Sequence, residues 1–256
     1  MFSERPLPDD VAAVRREHAP GALVLDSGRD FETLPPEHRD DLALLTDDIH
    51  PHGYDPDWLT DRSARMLHRL TGHDLVVGMP GDGSVAWTTQ TTPPVVFVKP
   101  RVAGSPDEFV DFLVAEALVE VGLDLPEHFL GFFRDQYADL EAAIPLGPND
   151  VYQVAAALTD AYRGLHTREV FEAWDDDHPR LHAAWADAGE RFEPRVAGLP
   201  EAMAQGRTDF GDATELACSA IKHGLDLPAP FDALDTLAYR DHGPAFAVKW
   251  AAKVFD

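Results

Sequence analysis

The stretch that decides the fold is "FVDFLVAEALVEVGLDLPEHFLGFF", residues 109–133. Six apolar residues of its first half fall in one continuous arc of about 140° when they are projected on a helix at 100° per residue. They are Val110, Leu113, Val114, Ala117, Leu118 and Val121. Such a stripe is typical of a helix that packs on a core. Gly122 suits the left-handed conformation just past a helix end, so the pattern predicts a core helix over residues 109–121.

The residues before this helix predict a small sheet. The runs "DLVVGMP" (74–80), "SVAWTTQTT" (84–92) and "VVFVKPR" (95–101) are rich in β-branched and aromatic residues. "PGDG" (80–83) between the first two favours a tight turn. We therefore predict a three-stranded antiparallel sheet over about residues 74–100. Such a sheet needs a covering layer, and the helix that follows it can supply one.

The remainder of the chain reads as mainly helical. Helical spacing of apolar residues is found at about 8–19, 36–49, 61–71, 127–141, 150–165, 179–192, 212–223 and 244–255, and "GALVLD" (21–26) predicts one more short strand. The fold class is therefore α+β. We predict a single domain over residues 1–256, and a division near residues 145–148 stays open as an alternative.

The pentapeptide "GLDLP" occurs twice, at 122–126 and 224–228. Each copy follows a predicted helix, where glycine favours the end of that helix and the aspartate can cap the next one. The repeat is thus explained as two tight corners between helices. An ancestral duplication is the alternative.

Residues 115–119 of the core helix, "AEALV", match the spacing of the zinc-peptidase motif His-Glu-x-x-His. The resemblance to small zincin-like peptidases also includes the order of sheet and then helix. Ala115 and Val119 stand where both zinc ligands would be, so the resemblance implies a scaffold without zinc and without water activation. The apolar stripe favours an ordinary core helix instead, with Glu116 and Glu120 just outside the edge of the stripe.

Two histidine pairs are candidate metal ligands. His50 and His52 lie near several aspartates, and His178 and His182 follow the run Asp175–Asp177. Two imidazoles and a carboxylate suit a first-row transition metal. The alternative for each pair is solvated surface, and Pro179 places His178 at the start of a helix, where its side chain need not point with that of His182.

The charge of the chain is strongly acidic. Asp and Glu total 46 residues against 21 Lys and Arg, and the formal net charge is −25. Only four of the 21 cations are lysines. Self-repulsion at this charge destabilises a fold at low salt, and concentrated salt screens it. The composition resembles that of salt-in haloarchaeal proteins, and the whole chain resembles an uncharacterised haloarchaeal family. An acidic mesophilic protein is the alternative.

This balance also bears on partners and location. No basic stripe is present to neutralise phosphates, so we expect no nucleic-acid partner and no binding to anionic membrane surfaces. No apolar run is long enough for a membrane span, the first residues lack a signal-peptide pattern, and Cys218 is the only cysteine. We expect a cytoplasmic protein.

No residue pattern predicts a catalytic centre or a cofactor site. The sequence therefore favours a non-catalytic protein that binds an unknown protein or small molecule, with no cofactor. Two alternatives remain open: a metal-dependent hydrolase that uses one of the histidine clusters, and the zincin-like scaffold that has lost its zinc ligands.

Overall fold

The computed structural model describes residues 2–256 and has an α+β fold, as predicted. Its strands are β1 (Phe2–Glu4), β2 (Leu23–Ser27), β3 (Asp48–Ile49), β4 (Val85–Thr88), β5 (Thr91–Thr92) and β6 (Val95–Val98). Its α-helices are α1 (Asp9–His18), α2 (His38–Ala43), α3 (Arg65–Leu70), α4 (Asp107–Gly122), α5 (Phe129–Phe133), α6 (Gln136–Ala143), α7 (Pro148–Asp177), α8 (Pro179–Ala197), α9 (Leu199–Ala204), α10 (Phe210–Ile221) and α11 (Leu237–Phe255). Short 3-10 helices cover Pro56–Trp58, Pro100–Val102 and Phe231–Leu234.

The contacts divide the chain into two compact units. Unit 1 consists of the chain through Gly53, His73–Glu127 and Asp176–Ala184. Unit 2 consists of Tyr54–Gly72, His128–Asp175 and Trp185–Asp256. Residues 145–148, where a division was considered, lie inside unit 2. The single domain over residues 1–256 stays a prediction.

Unit 1 contains a mixed four-stranded sheet in the order β1-β2-β6-β4. β2 and β6 run parallel, with Leu25 opposite Phe97. The two outer strands are antiparallel to their neighbours. β3 and β5 form a separate antiparallel pair. The parallel pairing joins strands that are distant in sequence.

The sheet differs from the predicted three-stranded antiparallel sheet over residues 74–100. The antiparallel pair of β4 and β6 is confirmed, but residues 74–80 are not a strand. Val76 and Val77 are buried, but their hydrogen bonds do not form a strand ladder. The Val76 carbonyl accepts from Gln90 Nε2, and the Val77 carbonyl accepts from the Leu34 N–H. Gly78, with a φ of 72°, then turns the backbone out of the extended conformation. The β-branched residues of this run reflect burial and not strand pairing.

Successive residues of β6 serve the two faces of this sheet. Val95 and Phe97 belong to a buried apolar cluster that also contains Leu25, Phe31, Leu34, Leu42 and Val77. Because side chains alternate along a strand, Val96 and Val98 point to the opposite face. α4 packs on β4 and β6 and also contacts α1.

The core-helix interpretation of residues 109–121 agrees with the position of α4. Ala115, Leu118 and Val119 are fully buried. The predicted left-handed cap at Gly122 is wrong, because the left-handed residue of this corner is Asp124, with a φ of 52°. Gly122 is needed for a different reason: a Cβ there would collide with the backbone carbonyl of His18 at the end of α1.

Unit 2 is built from helices and 3-10 turns. The predicted helix over 127–141 is two helices, α5 and α6, separated near Arg134, whose φ is 52°. The predicted helix over 150–165 continues to Asp177. α11 kinks at Gly243, just before the predicted helix over 244–255. Trp250 of α11 is buried and donates to the Pro230 carbonyl at 2.9 Å, so this last helix docks through Trp250.

Candidate functional site

The residue of unit 1 that packing alone explains least is Lys99. It directly follows β6 and continues the alternation of Val95 and Phe97. Its side chain is therefore on the same face of the sheet as the buried apolar cluster. Its backbone N–H donates to the Ser84 carbonyl at 2.8 Å, which extends the pairing of the two neighbouring strands. The residue is 0% exposed. A lysine is rarely buried so completely unless it is paired.

The Lys99 amine has no hydrogen-bond partner among residues 2–256. Nζ lies 4.9 Å from the centroid of the Phe31 ring, a contact that stabilises a cation but accepts none of its N–H groups in a regular hydrogen bond. Burial lowers the pKa of this amine. Asp82 opposes that shift and Arg101 adds to it, with Glu32 and Asp30 as further negative neighbours.

Arg101 holds one wall of this site in place. Its guanidinium Nε donates to both carboxylate oxygens of Asp30, at 2.8 and 3.0 Å, and Nη2 donates to Glu32 at 2.8 Å. Nη2 also reaches the Phe31 carbonyl at 3.2 Å. These bonds lower the pKa of both carboxyl groups. Arg101 therefore fixes the segment that carries the Phe31 ring over Lys99.

The loop of residues 78–83 forms a second wall. The Asp82 carboxylate accepts from the Met79 N–H at 2.6 Å, and Glu32 accepts from the Gly81 N–H at 3.1 Å. A Cβ on Gly78 would collide with the Glu32 carbonyl and contact the Phe31 ring, so the backbone approaches this wall closely. We call the set of Lys99, Asp30, Phe31, Glu32, Asp82 and Arg101 the Lys99 site.

The two histidines of the first predicted pair contact different residues. His50 is exposed and lies 3.6 Å from Asp48. His52 instead turns to the corner after α4, where its Nε2 lies 3.7 Å from Glu127 and 3.3 Å from the Thr89 hydroxyl. Both contacts fall on the same ring nitrogen. A nucleophile–histidine–carboxylate relay uses opposite nitrogens, so this geometry does not form one.

Glu127 serves as a structural acceptor in this corner. Its carboxylate accepts from the Thr89 N–H at 3.2 Å and from Gln90 Nε2 at 2.9 Å. Gln90 in turn reaches the Val76 carbonyl. These bonds anchor the two residues that connect β4 and β5. The sequence placed His52 among aspartates and gave no sign of this acid, which is 75 positions later.

The second predicted pair lies at the start of α8. His178 is buried and His182 is half-buried, whereas Asp176 and Asp177 are exposed. Burial lowers the pKa of the nearby His18, and His178 adds to that shift. Across residues 2–256, no group of three or more His, Cys, Asp or Glu side chains is arranged to hold a metal ion. The metal sites stay predictions for a bound-metal analysis to test.

The peptidase-like positions of α4 are part of the core. Ala115 and Val119 are fully buried, and Glu116 is half-buried. Glu120, just outside the edge of the apolar stripe, is nevertheless buried, and its carboxylate accepts from Trp87 Nε1 at 2.6 Å. The helical wheel could not show this, since the indole comes from a neighbouring strand.

The comparison with known families gives one match. A model described as a family of unknown function, DUF7089, matches residues 1–256. The chain belongs to this family. This match confirms that the chain resembles an uncharacterised family. Neither the curated proteins nor the solved structures contain a match to the chain.

In the part of the chain that the structure describes, residues 2–256, no helix is both long and apolar enough to cross a membrane.

Proposed function

We propose that this member of DUF7089 is a binding protein that takes a small neutral molecule into the Lys99 site. One observation carries the proposal: the Lys99 amine is fully buried and has no hydrogen-bond partner among residues 2–256. A buried donor without a partner costs about 1–3 kcal/mol, and such groups in native proteins call for an explanation. A ligand that accepts a hydrogen bond from Nζ provides one.

The charges around Lys99 favour a neutral ligand. Two cations, Lys99 and Arg101, share the site with three carboxylates, those of Asp30, Glu32 and Asp82. Arg101 is already engaged by Asp30 and Glu32. An anionic ligand would enter a site with an excess of negative charge, on a protein whose net charge is −25. A carbonyl or amide oxygen accepts from Nζ without that repulsion.

The walls of the site favour an apolar body on this ligand. Phe31 lies against Phe97, with ring centroids 5.9 Å apart, and both belong to the buried cluster. Sites for small molecules commonly combine apolar walls with a few placed polar groups. Because Lys99 is fully enclosed, a ligand enters only if a wall moves; we assign this movement to the 78–83 loop, where a Cβ on Gly81 or Gly83 would meet no atom within 4 Å.

Binding is tested with small neutral amides such as N-methylbutanamide and δ-valerolactam, added to the full-length, isotope-labelled protein. We expect amide NMR signals of residues 78–83 and Lys99 to shift with a saturable dependence on the probe. Lys99→Met keeps an unbranched apolar stem and removes the donor, so the shifts should disappear. Lys249→Met, at an exposed lysine, is the matched control and should retain them.

The proposal fails if no probe shifts the signals of the 78–83 loop, or if Lys99→Met and the native chain respond alike. The second result would indicate that the amides bind to apolar surface without using the amine. Urea denaturation of Lys99→Met first establishes that the variant is folded.

We also propose that the protein works in the concentrated salt of a haloarchaeal cytoplasm. The support is compositional: 46 acidic residues against 21 basic ones. Thermal unfolding in potassium chloride tests this, and the melting temperature should fall as the salt drops from molar to about 0.1 M, where screening extends only about 10 Å. A melting temperature independent of salt would contradict it.

A further inference from the structure

We propose that the Lys99 amine captures aldehydes or ketones covalently, by forming an imine with a carbonyl compound held in the Lys99 site. This inference rests on the proposed binding function and deepens it, because it names the ligand class. The ligand is then held by a reversible covalent bond to Nζ in addition to any hydrogen bond.

The first argument is the setting of the amine. Nζ belongs to a primary amine, is fully buried, and has no protein acceptor among residues 2–256 to hold its protons. Strand alternation places its side chain on the sheet face of Phe97, and Nζ lies 4.9 Å from the centroid of the Phe31 ring. Lysines become nucleophiles when they are desolvated in an apolar pocket or lie beside another cation. Burial gives Lys99 the first condition, whereas the effect of Arg101 as a second cation is opposed by the carboxylates of Asp82, Glu32 and Asp30.

The second argument is the difference between Lys99 and an exposed lysine. Burial is the main cause that lowers the pKa of the Lys99 amine; Asp82, Glu32 and Asp30 oppose this shift, and Arg101 adds to it. A larger fraction of this amine is therefore neutral at pH 7 than of an ordinary lysine, for which the neutral fraction is on the order of one part in a thousand or less. The neutral form carries the lone pair that attacks a carbonyl carbon.

The reaction balances without any additional reagent. The nitrogen lone pair forms a C–N bond to the carbonyl carbon while the carbonyl π electrons move to oxygen. One N–H proton is transferred to that oxygen, which gives a carbinolamine. The C–O bond then breaks, the second N–H proton leaves with the hydroxyl group as water, and the nitrogen forms the C=N bond. Neither carbon nor nitrogen needs an external oxidant or reductant.

The test uses butanal with sodium cyanoborohydride at neutral pH on the full-length protein. The hydride reduces an imine to a stable secondary amine, and peptide mass mapping locates it. We expect Lys99 to be alkylated at least ten times faster than the exposed Lys249, which serves as an internal reference. Excess N-methylbutanamide should slow labelling at Lys99 and leave labelling at Lys249 unchanged.

Variants check the assignment. Lys99→Arg keeps a cation but removes the primary amine, so the fast labelling should disappear, whereas Lys249→Arg should preserve it. The inference is overturned if Lys99 is labelled no faster than Lys249, or not at all. If the amide probes still bind at the site in that case, the imine fails and the binding function stands. If the amides do not bind either, both fail.

Discussion

Lys99 and Arg180 are two cations of unit 1 with opposite surroundings. Arg180 donates through Nε and Nη2 to both oxygens of Asp10, at 2.9 and 2.8 Å, and through Nη1 to Asp111 at 2.8 Å. Its carboxylate partners come from α1 and α4, and Arg180 itself lies at the start of α8. Lys99 is more deeply buried, yet its amine has no hydrogen-bond partner among residues 2–256.

This difference suits Arg180 to a structural role and is the basis of the binding role proposed for Lys99. Arginine presents a planar fork that matches two carboxylates, so Arg180 is accounted for by the three segments that it joins. Lysine makes no such arrangement at position 99, and the chain contains only four lysines against 17 arginines. The cost of burying an amine without a partner is the basis of the binding role proposed for Lys99.

The largest effect is expected at the paired cation. Arg180→Ala leaves the buried Asp111 and the partly buried Asp10 without their cation. Breaking a fully buried pair costs about 3–5 kcal/mol, and because the Arg180 side chain is 36% exposed we expect a lower value, about 2–3 kcal/mol. Urea denaturation measures it. The control is Arg191→Ala, which removes an exposed i,i+4 pair with Asp187 and should cost under about 0.5 kcal/mol.

The opposite sign is expected at the unpaired cation. Lys99→Met removes a buried donor without a partner and retains most of the apolar volume, so the free energy of unfolding should rise by about 1 kcal/mol. The same denaturation experiment measures it. A loss as large as that of Arg180→Ala would mean that Lys99 has a structural role, and the comparison would then be broken.

The pH dependence of stability sharpens the comparison further. Since burial lowers the pKa of folded Lys99, the unfolded chain binds more protons between that pKa and the ordinary lysine value of about 10.4. The contribution of Lys99 to stability therefore rises with pH through this window. Denaturation of the native chain and of Lys99→Met at several alkaline pH values should give curves that converge as pH rises. Parallel curves would contradict the lowered pKa.

The paired site has the opposite pH dependence. Burial raises the pKa of Asp10, but the hydrogen bonds from Arg180 and Val11 outweigh this, so the folded pKa lies below its usual range. Its contribution is complete above the unfolded value of about 3.9 and is lost as pH falls through the folded pKa. Arg180→Ala should therefore lose less stability than the native chain on acidification. An equal loss in both proteins would show that the pairing of Asp10 with Arg180 does not contribute to the pH dependence of stability.

Much of the fold could be predicted from local patterns. The stripe of Val110, Leu118 and their neighbours identified α4, and the β-branched runs identified β4 and β6. The position of β2 beside β6 could not be predicted, because parallel pairing joins residues about 70 positions apart and leaves no short-range signal. Residues 74–80 showed the converse problem, since burial alone explains their composition.

The candidate site was not predicted, although one signal was present. Lys99 follows "VVFV" and reads as the polar end of a strand. Its alternation with Val95 and Phe97 places it on the buried face, where a lysine is unexpected. The carboxylates that surround it, Glu32 and Asp82, come from loops whose approach depends on the tertiary fold.

The most direct test of the account is an NMR titration of the lysine Cε and Nζ signals, which four lysines make tractable. Loss of one signal in Lys99→Met assigns Lys99. We expect this signal to titrate below the ordinary lysine range because the amine is buried. We also expect it to shift when N-methylbutanamide is added, because the amine has no hydrogen-bond partner in the described chain, residues 2–256, and can donate to the amide oxygen. A Lys99 signal that titrates at the ordinary lysine value and ignores the amide would contradict the central claim.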